Sequence, residues 1–267
     1  MPILHLVIVA LIQGITEFLP ISSSGHLILL PNLTGLADQG QAIDVAVHVG
    51  TLGAVILYFW SDVRRVLAGL PKVARRQIDD QNAWLALCLI IATIPVIIAG
   101  LAIKLIGLDD ALRSITVVAW ATIIFGLVLL WADRTGAHDR EAEAWTLKHA
   151  LVMGLWQVIA LVPGTSRSGI TITGARHLGY KRHDAARLAM LMSIPTILAS
   201  GVLLSAEVAA QMDVALARDA AIGAAFAFVA ALGALHFMMR LLRSVSFTPY
   251  VIYRIILGAI LLAIAYT

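Results

Sequence analysis

Ile21-Ser22-Ser23-Ser24-Gly25-His26 and Pro163-Gly164-Thr165-Ser166-Arg167-Ser168-Gly169 decide how this chain folds. Both stretches are polar and contain glycine, yet they interrupt runs of Leu, Ile, Val and Ala. Aligned without a gap, Leu11, Gln13, Ile15, Ser22, Ser24, Gly25, Ile28 and Gly35 meet Leu155, Gln157, Ile159, Ser166, Ser168, Gly169, Ile172 and Gly179. The chain is an internal duplication, and its most polar segment was duplicated with the rest. At membrane depth such polar, irregular backbone is tolerated only where protein or a cavity surrounds it, so the two patches mark where function should be sought.

The surrounding composition is that of a polytopic membrane protein. Hydrophobic residues make up 60% of the 267 and charged residues 13%, against roughly 25% charged in soluble domains. Apolar runs close to the ~20 residues that cross a bilayer predict full spans near Ile43 to Trp60, Ala83 to Leu105, Ile115 to Ala132, Leu188 to Ala206, Ala220 to Met239 and Pro249 to Tyr266. Two further stretches, Ile3 to Leu19 and Leu147 to Val162, are short for a crossing. Each runs into a proline and a Ser-rich turn before a second apolar piece, as re-entrant helical hairpins do. No Lys or Arg precedes Arg64, so a removable signal peptide is not expected. Cys88 is the single cysteine, which leaves it the role of a small buried hydrophobe.

Charge placement orients these elements. Arg64, Arg65, Lys72, Arg75 and Arg76 crowd into the basic loop expected between Trp60 and Ala83, a pattern of membrane topology and not of nucleic-acid binding. Counting spans puts Arg134, Arg140 and Lys148, the Arg176 to Arg187 stretch, and Arg240 with Arg243 on that same cytoplasmic side. With three spans plus one hairpin in each half, an odd number of crossings turns the halves over relative to each other. The expected fold is an all-α integral membrane protein with an inverted-topology repeat, six full transmembrane helices and two re-entrant hairpins. It forms one membrane domain over 1–267, with repeat one at about 1–132 and repeat two at about 145–267. Hairpins entering from opposite faces bring their Ser-rich tips together near the midplane, where inverted-repeat proteins bind substrate.

The tips carry chemistry suited to phosphate. Helix N-termini there offer unpaired N–H groups and a partial positive charge. Hydroxyls of Ser22, Ser24, Ser166 and Ser168 add donors, Gly25 and Gly169 permit close backbone approach, and the Arg167 fork matches phosphate oxygens. The structural alternative is that the serines cap helices and Arg167 pairs with Glu17 as glue. Gln13 and Glu17 lie one helical turn apart on one face. Together they offer a carboxylate and an amide oxygen to a hard divalent cation, Mg or Ca, which keeps phosphate oxygens among its ligands. Glu17 could also serve as a general base, and His26 could give a proton to a leaving phosphate or take one from a nucleophile. His48 reads as a satisfied bundle histidine, and Arg254 as a residue that snorkels to the headgroups.

Gln13-Gly14-Ile15-Thr16-Glu17-Phe18-Leu19-Pro20 followed by Ser22-Ser23-Ser24-Gly25-His26, then Pro163 through Thr171, then Ser246-Phe247-Thr248-Pro249-Tyr250 with Tyr253-Arg254, resemble the bacitracin-resistance family of undecaprenyl-diphosphate phosphatases over nearly the whole chain. The resemblance implies a multi-pass enzyme of the bacterial inner membrane that hydrolyses undecaprenyl diphosphate to undecaprenyl phosphate and inorganic phosphate. That reaction recycles the lipid carrier for peptidoglycan synthesis and confers bacitracin resistance. A divalent cation and a site accessible from the periplasm are implied as well. Residue by residue, the family motifs fall on Gln13 and Glu17 for the metal, where many relatives carry two glutamates, on Ser23 and His26, and on Ser166, Arg167, Ser168 and Thr171 around the diphosphate. Whether Ser23 attacks phosphorus or positions a water stays open. Type-2 phosphatidic-acid phosphatases also pair a Ser-Gly-His with a Ser-Arg motif, but they expect a histidine where Thr173 stands and a lysine motif that is missing here. A transporter of lipid phosphate or phosphate on the same inverted scaffold is the rival from another class. Expected partners are a polyprenyl diphosphate lipid and the membrane, with no nucleic acid and with homo-oligomerisation left open.

Overall fold

The computed structural model describes residues 2–35, 39–107, 112, 114–135, 139–209 and 213–266, and among them the chain is all-helical. Helices α1 (Ile3–Thr16) and α2 (Ser23–Thr34) flank the first polar patch, followed by α3 (Gln41–Tyr58), α4 (Trp60–Ala74), α5 (Gln81–Ile106) and α6 (Ile115–Thr135). Helices α7 (Leu147–Val158) and α8 (Arg167–His177) flank the second patch, and α9 (Arg182–Ala209), α10 (Val214–Leu241) and α11 (Thr248–Tyr266) follow. Six of these, α3, α5, α6, α9, α10 and α11, are long and apolar enough to cross a membrane. They match the six hydrophobic runs of the sequence. At 14 and 12 residues, α1 and α7 are too short, reaching only about 21 and 18 Å against a ~30 Å hydrocarbon core.

Both short helices end for local reasons. Pro20 and Pro163 withdraw a backbone donor, and the duplicated serines Ser22 and Ser166 take left-handed φ angles of 70° and 68°. Such angles are costly for a residue with a Cβ and persist only where the surroundings impose them. Gly164 has φ 93° and sits so near α6 that a Cβ would lie 2.2 Å from the Val118 carbonyl oxygen. Ser166 then caps α8, its side chain accepting from the Gly169 N–H.

The basic segment after Trp60 differs from the loop expected of it. Val63, Val66, Leu67 and Leu70 recur at helical spacing, and the segment folds as α4 against α5 with Arg64, Arg75 and Arg76 exposed. Charge density marks the interface, while the apolar stripe between the charges sets the conformation.

Packing joins the two halves throughout. Helix α1 lies on α10 and its counterpart α7 on α5, while α3 packs on α10, α9 on α3 and α5, and α6 on α11. Small residues allow these approaches: a Cβ on Gly50 would stand 2.2 Å from the Ala224 carbonyl oxygen, and one on Gly154 2.5 Å from that of Ala92. At one end of the bundle, Asp62 of α4 accepts from Arg187 of α9 at 2.6 and 2.9 Å, and Arg187 reaches Glu143 at 2.8 Å. That hydrogen bond holds the Glu143 carboxyl below the usual carboxylate range. Asp133 of α6 accepts from Arg176 of α8 at 2.8 Å and from Arg182 of α9 at 2.9 Å.

Gly50→Ala should cost about 1–3 kcal/mol through forced separation of α3 and α10, seen as a fall of several degrees in the melting temperature in detergent. Gly53→Ala meets only the movable Phe228 ring, at 3.3 Å, and should melt close to the parent protein.

Candidate functional site

The site is organised around one carboxylate. Glu17 caps the C-terminus of α1 and is 9% exposed. Its Oε1 accepts from Arg167 Nη2 at the start of α8. Its Oε2 accepts from Gln13 Nε2 at 2.7 Å and from Ser23 Oγ, which opens α2, at 3.1 Å. Carboxylate and guanidinium come from different halves of the chain, so their pairing brings the two tips together. Further bonds lock that contact: the Gly164 N–H donates to Ser24 Oγ at 3.1 Å, and Ser168 Oγ donates to the Leu19 carbonyl at 3.0 Å. Within each tip the outer serines are also paired, Ser22 with Ser24 and Ser166 with Ser168, both at 3.1 Å between Oγ atoms.

Between the tips lies a cavity of about 210 Å³, lined by Glu17, Ser22, Ser23, Ser24, Ser166 and Arg167 together with His48, Gly164 and an apolar rim that includes Ala160, Val162 and Ile197. It is smaller than the ~300–1,000 Å³ pockets that enclose a whole drug-sized ligand. Its size and lining suit a charged headgroup.

Other residues singled out from the sequence stand behind this lining. Gln13 is fully buried at Glu17. Thr171 Oγ1 donates to the carbonyls of Arg167 and Ser168 at 2.8 and 3.1 Å, bracing the first turn of α8. Gly25 packs towards Leu257 of α11, and Gly169 leaves room for Arg254, whose Nη1 would lie 2.9 Å from a Cβ there. His26 is turned to α11. Its Nδ1 lies 2.7 Å from the Ser22 carbonyl, which can only accept, so Nδ1 carries the proton and Nε2 accepts from the Tyr253 hydroxyl at 2.6 Å. The two rings stack with centroids 5.5 Å apart.

Two residues take places that the sequence did not reveal. Arg254 does not snorkel: it is fully buried, and Nε donates to the Thr122 carbonyl at 2.9 Å while Nη2 donates to those of Thr165 and Gly164 at 2.9 and 3.1 Å. Nη1 reaches the Pro20 carbonyl at 3.5 Å. Broken helices strand carbonyls in an apolar medium, and one guanidinium collects them from both tips. His48 of α3 is the other: its Nδ1 is satisfied within the bundle by the Asp44 carbonyl at 2.7 Å, while its Nε2 faces the cavity 3.7 Å from Glu17 Oε2. Neither stands in a local motif that shows this, because each reaches the site from a helix remote in sequence.

Among the described residues no three of His, Cys, Asp and Glu converge. The oxygen donors for a cation are Glu17 and the Gln13 amide, whose Oε1 is buried with no hydrogen-bond partner. This sparse set fits a hard divalent cation that completes its shell with water and phosphate oxygens.

The profile described as bacitracin resistance protein BacA matches residues 6–260. A Ruegeria pomeroyi protein named undecaprenyl-diphosphatase is 68% identical over 267 residues, covering the whole of both chains. One of the same name from Dinoroseobacter shibae is also 68% identical over the whole of both. A Saccharophagus degradans undecaprenyl-diphosphatase is 46% identical over 269 residues, covering 100% of this chain and 99% of its own.

Arg254→Met should leave the tip carbonyls without donors, at about 1–3 kcal/mol for each buried group, and lower the yield of monodisperse protein on size-exclusion chromatography in detergent. Tyr253→Phe keeps the ring beside His26 and should elute as the parent does.

Proposed function

The chain belongs to the bacitracin resistance protein BacA family, and from that premise we propose how its residues hydrolyse undecaprenyl diphosphate to undecaprenyl phosphate and inorganic phosphate. The observation that carries the mechanism is the Glu17–Arg167 pair, held across two tips in a serine-lined cavity. An arriving diphosphate offers the Arg167 fork a second anionic partner, and the guanidinium passes from Glu17 to phosphoryl oxygens. Ser22, Ser24 and Ser166 hydroxyls and the N-terminus of α8 add donors to the same oxygens. Thr171, Ser168 and Gly169 support that helix start, and Gly25 the opposite one.

Ser23 Oγ already donates to Glu17 Oε2 at 3.1 Å, so Glu17 is placed to take a proton from Ser23, or from a water that Ser23 orients, as oxygen attacks the terminal phosphorus. The bond to the bridging oxygen breaks, and that oxygen leaves on undecaprenyl phosphate. Where water attacks, inorganic phosphate is released directly. Where Ser23 attacks, a water then hydrolyses its phosphoester to release inorganic phosphate, and the proton on Glu17 returns to Ser23. His26, released from Tyr253 and protonated at Nε2 by solvent, would then supply the proton needed by the leaving group. A divalent cation, Mg or Ca, held by Glu17 and Gln13 would neutralise charge on the diphosphate oxygens. Phosphoryl transfer requires mainly alignment and charge neutralisation, and both come from side chains fixed by buried contacts. The apolar rim at Ala160, Val162 and Ile197 suits a prenyl ester entering from the lipid.

In the same proposal the two halves are inverted repeats, with α1–α2 and α7–α8 as re-entrant hairpins in the bacterial inner membrane and the cavity reached from the periplasm. The matched left-handed serines, the reciprocal packing of α1 on α10 and α7 on α5, and the self-paired α6 and α11 support it. Hydrolysis on that face would return the carrier to peptidoglycan synthesis.

Phosphate release from undecaprenyl diphosphate by the purified protein in detergent tests the mechanism. Arg167→Ala and Glu17→Gln should each lower kcat/KM by at least about 10²–10³-fold, with Arg167→Lys intermediate because it keeps charge and loses the fork. Chelation should stop turnover and added Mg²⁺ or Ca²⁺ restore it. Undiminished turnover in Arg167→Ala would sink the proposal.

A further inference from the structure

His48 lines the cavity and has no part in the reaction above. Its Nδ1 lies 2.7 Å from the Asp44 carbonyl oxygen, an acceptor only, so Nδ1 carries a proton, and in the neutral imidazole Nε2 presents its lone pair. That lone pair lies 3.7 Å from Glu17 Oε2, with the two groups on one cavity wall. The separation is too long for a hydrogen bond. It is a suitable one for two ligands of one ion, since donors bonded at ~2.0–2.2 Å stand up to about 4.2 Å apart. The bond from Nδ1 to a backbone carbonyl is also the arrangement by which metal-ligating imidazoles are oriented.

We propose that His48 Nε2 is a ligand of the divalent cation at Glu17, which gives the site one nitrogen donor. The inference rests on the reading that Glu17 holds a cation. Arg167 occupies the other oxygen of Glu17, while Oε2 accepts from Gln13 Nε2 and Ser23 Oγ, so the ion would displace one of those two donors and not the guanidinium. Gln13 faces Glu17 through its Nε2 donor and would offer its Oε1 to the ion with the amide turned over, beside the nitrogen of His48. His26 has both ring nitrogens engaged by Ser22 and Tyr253. His48 is therefore the imidazole with a nitrogen directed at Glu17 from the cavity side. A nitrogen donor shifts preference from Ca²⁺ and Mg²⁺ towards first-row transition cations such as Zn²⁺ and Ni²⁺, and Mn²⁺, which shares the oxygen preference of Mg²⁺, serves as a paramagnetic probe of the same site.

The test uses the full chain, purified in detergent and stripped of metal, with Mn²⁺ alone as probe. Binding is followed by loss of the free-ion EPR signal, and pulsed EPR detects ¹⁴N coupling from a bound imidazole. The parent protein should bind Mn²⁺ with that coupling. His48→Ala and His48→Gln should lose it and bind at least about tenfold more weakly, and His26→Ala should keep it. The His48 side chain is 39% exposed, so these changes should leave the fold intact, as checked by elution volume. Mn²⁺ bound without nitrogen coupling, or coupling that persists in His48→Ala, overturns the role of His48. If Glu17→Gln abolishes binding in that case, the cation reading of Glu17 survives. Mn²⁺ that fails to bind the parent, or binds Glu17→Gln equally well, overturns both.

Discussion

A carboxylate and a guanidinium buried against each other at the centre of an apolar bundle are the constraint on which this structure depends. Either ion alone would carry a severe desolvation penalty, and together they are tolerable only with their remaining polar atoms satisfied. Glu17 meets that condition through Gln13 and Ser23 as well as Arg167. The requirement brings the end of α1 to the start of α8, and with it one interrupted segment to the other. The interruptions then need their own donors, and the Arg254 guanidinium among the carbonyls of Pro20, Thr122, Gly164 and Thr165 supplies them. One guanidinium, that of Arg167, faces the serine-lined cavity between the tips, and the other holds their backbone from behind.

The gapless self-alignment of the sequence pairs the two tips, and their side chains differ where their backbones agree. The backbone has been kept, down to left-handed serines at Ser22 and Ser166 and equal hydroxyl pairs beside them. The side chains that matter have not. In the gapless alignment Glu17 meets Leu161, Ser23 meets Arg167 and His26 meets Ile170. In the proposed mechanism the first tip carries the carboxylate and proton-transfer groups and the second the fixed cation, and the two ions pair across the tips until a diphosphate arrives.

Much of this was legible from residue order because local physics determines it. Six apolar runs became the six long helices, since ~20 apolar residues have few alternatives to a helix that satisfies its own backbone. Pro20 and Pro163 with the serines after them marked where helices stop. The segment at α4 was harder: its charges suggested a loop, while the stripe of Val63, Val66, Leu67 and Leu70 was enough to make it a helix on α5. Glu17, Ser23 and Arg167, singled out in the sequence because a charge in an apolar chain has few bland explanations, are brought together in the structure.

By itself the sequence determined the helical class, the duplication, the two breaks and the cast of polar residues, because periodicity, proline and charge act over a few neighbouring positions. Only the tertiary structure decided which of them meet. His48 looked like any histidine on a helix until α3 brought it to Glu17. Arg254 looked like a snorkelling arginine until α11 placed it among stranded carbonyls, and only the packing of α11 set Tyr253 against the second nitrogen of His26. These outcomes depend on how close helices remote in sequence can pack, and no short window of residues contains that information.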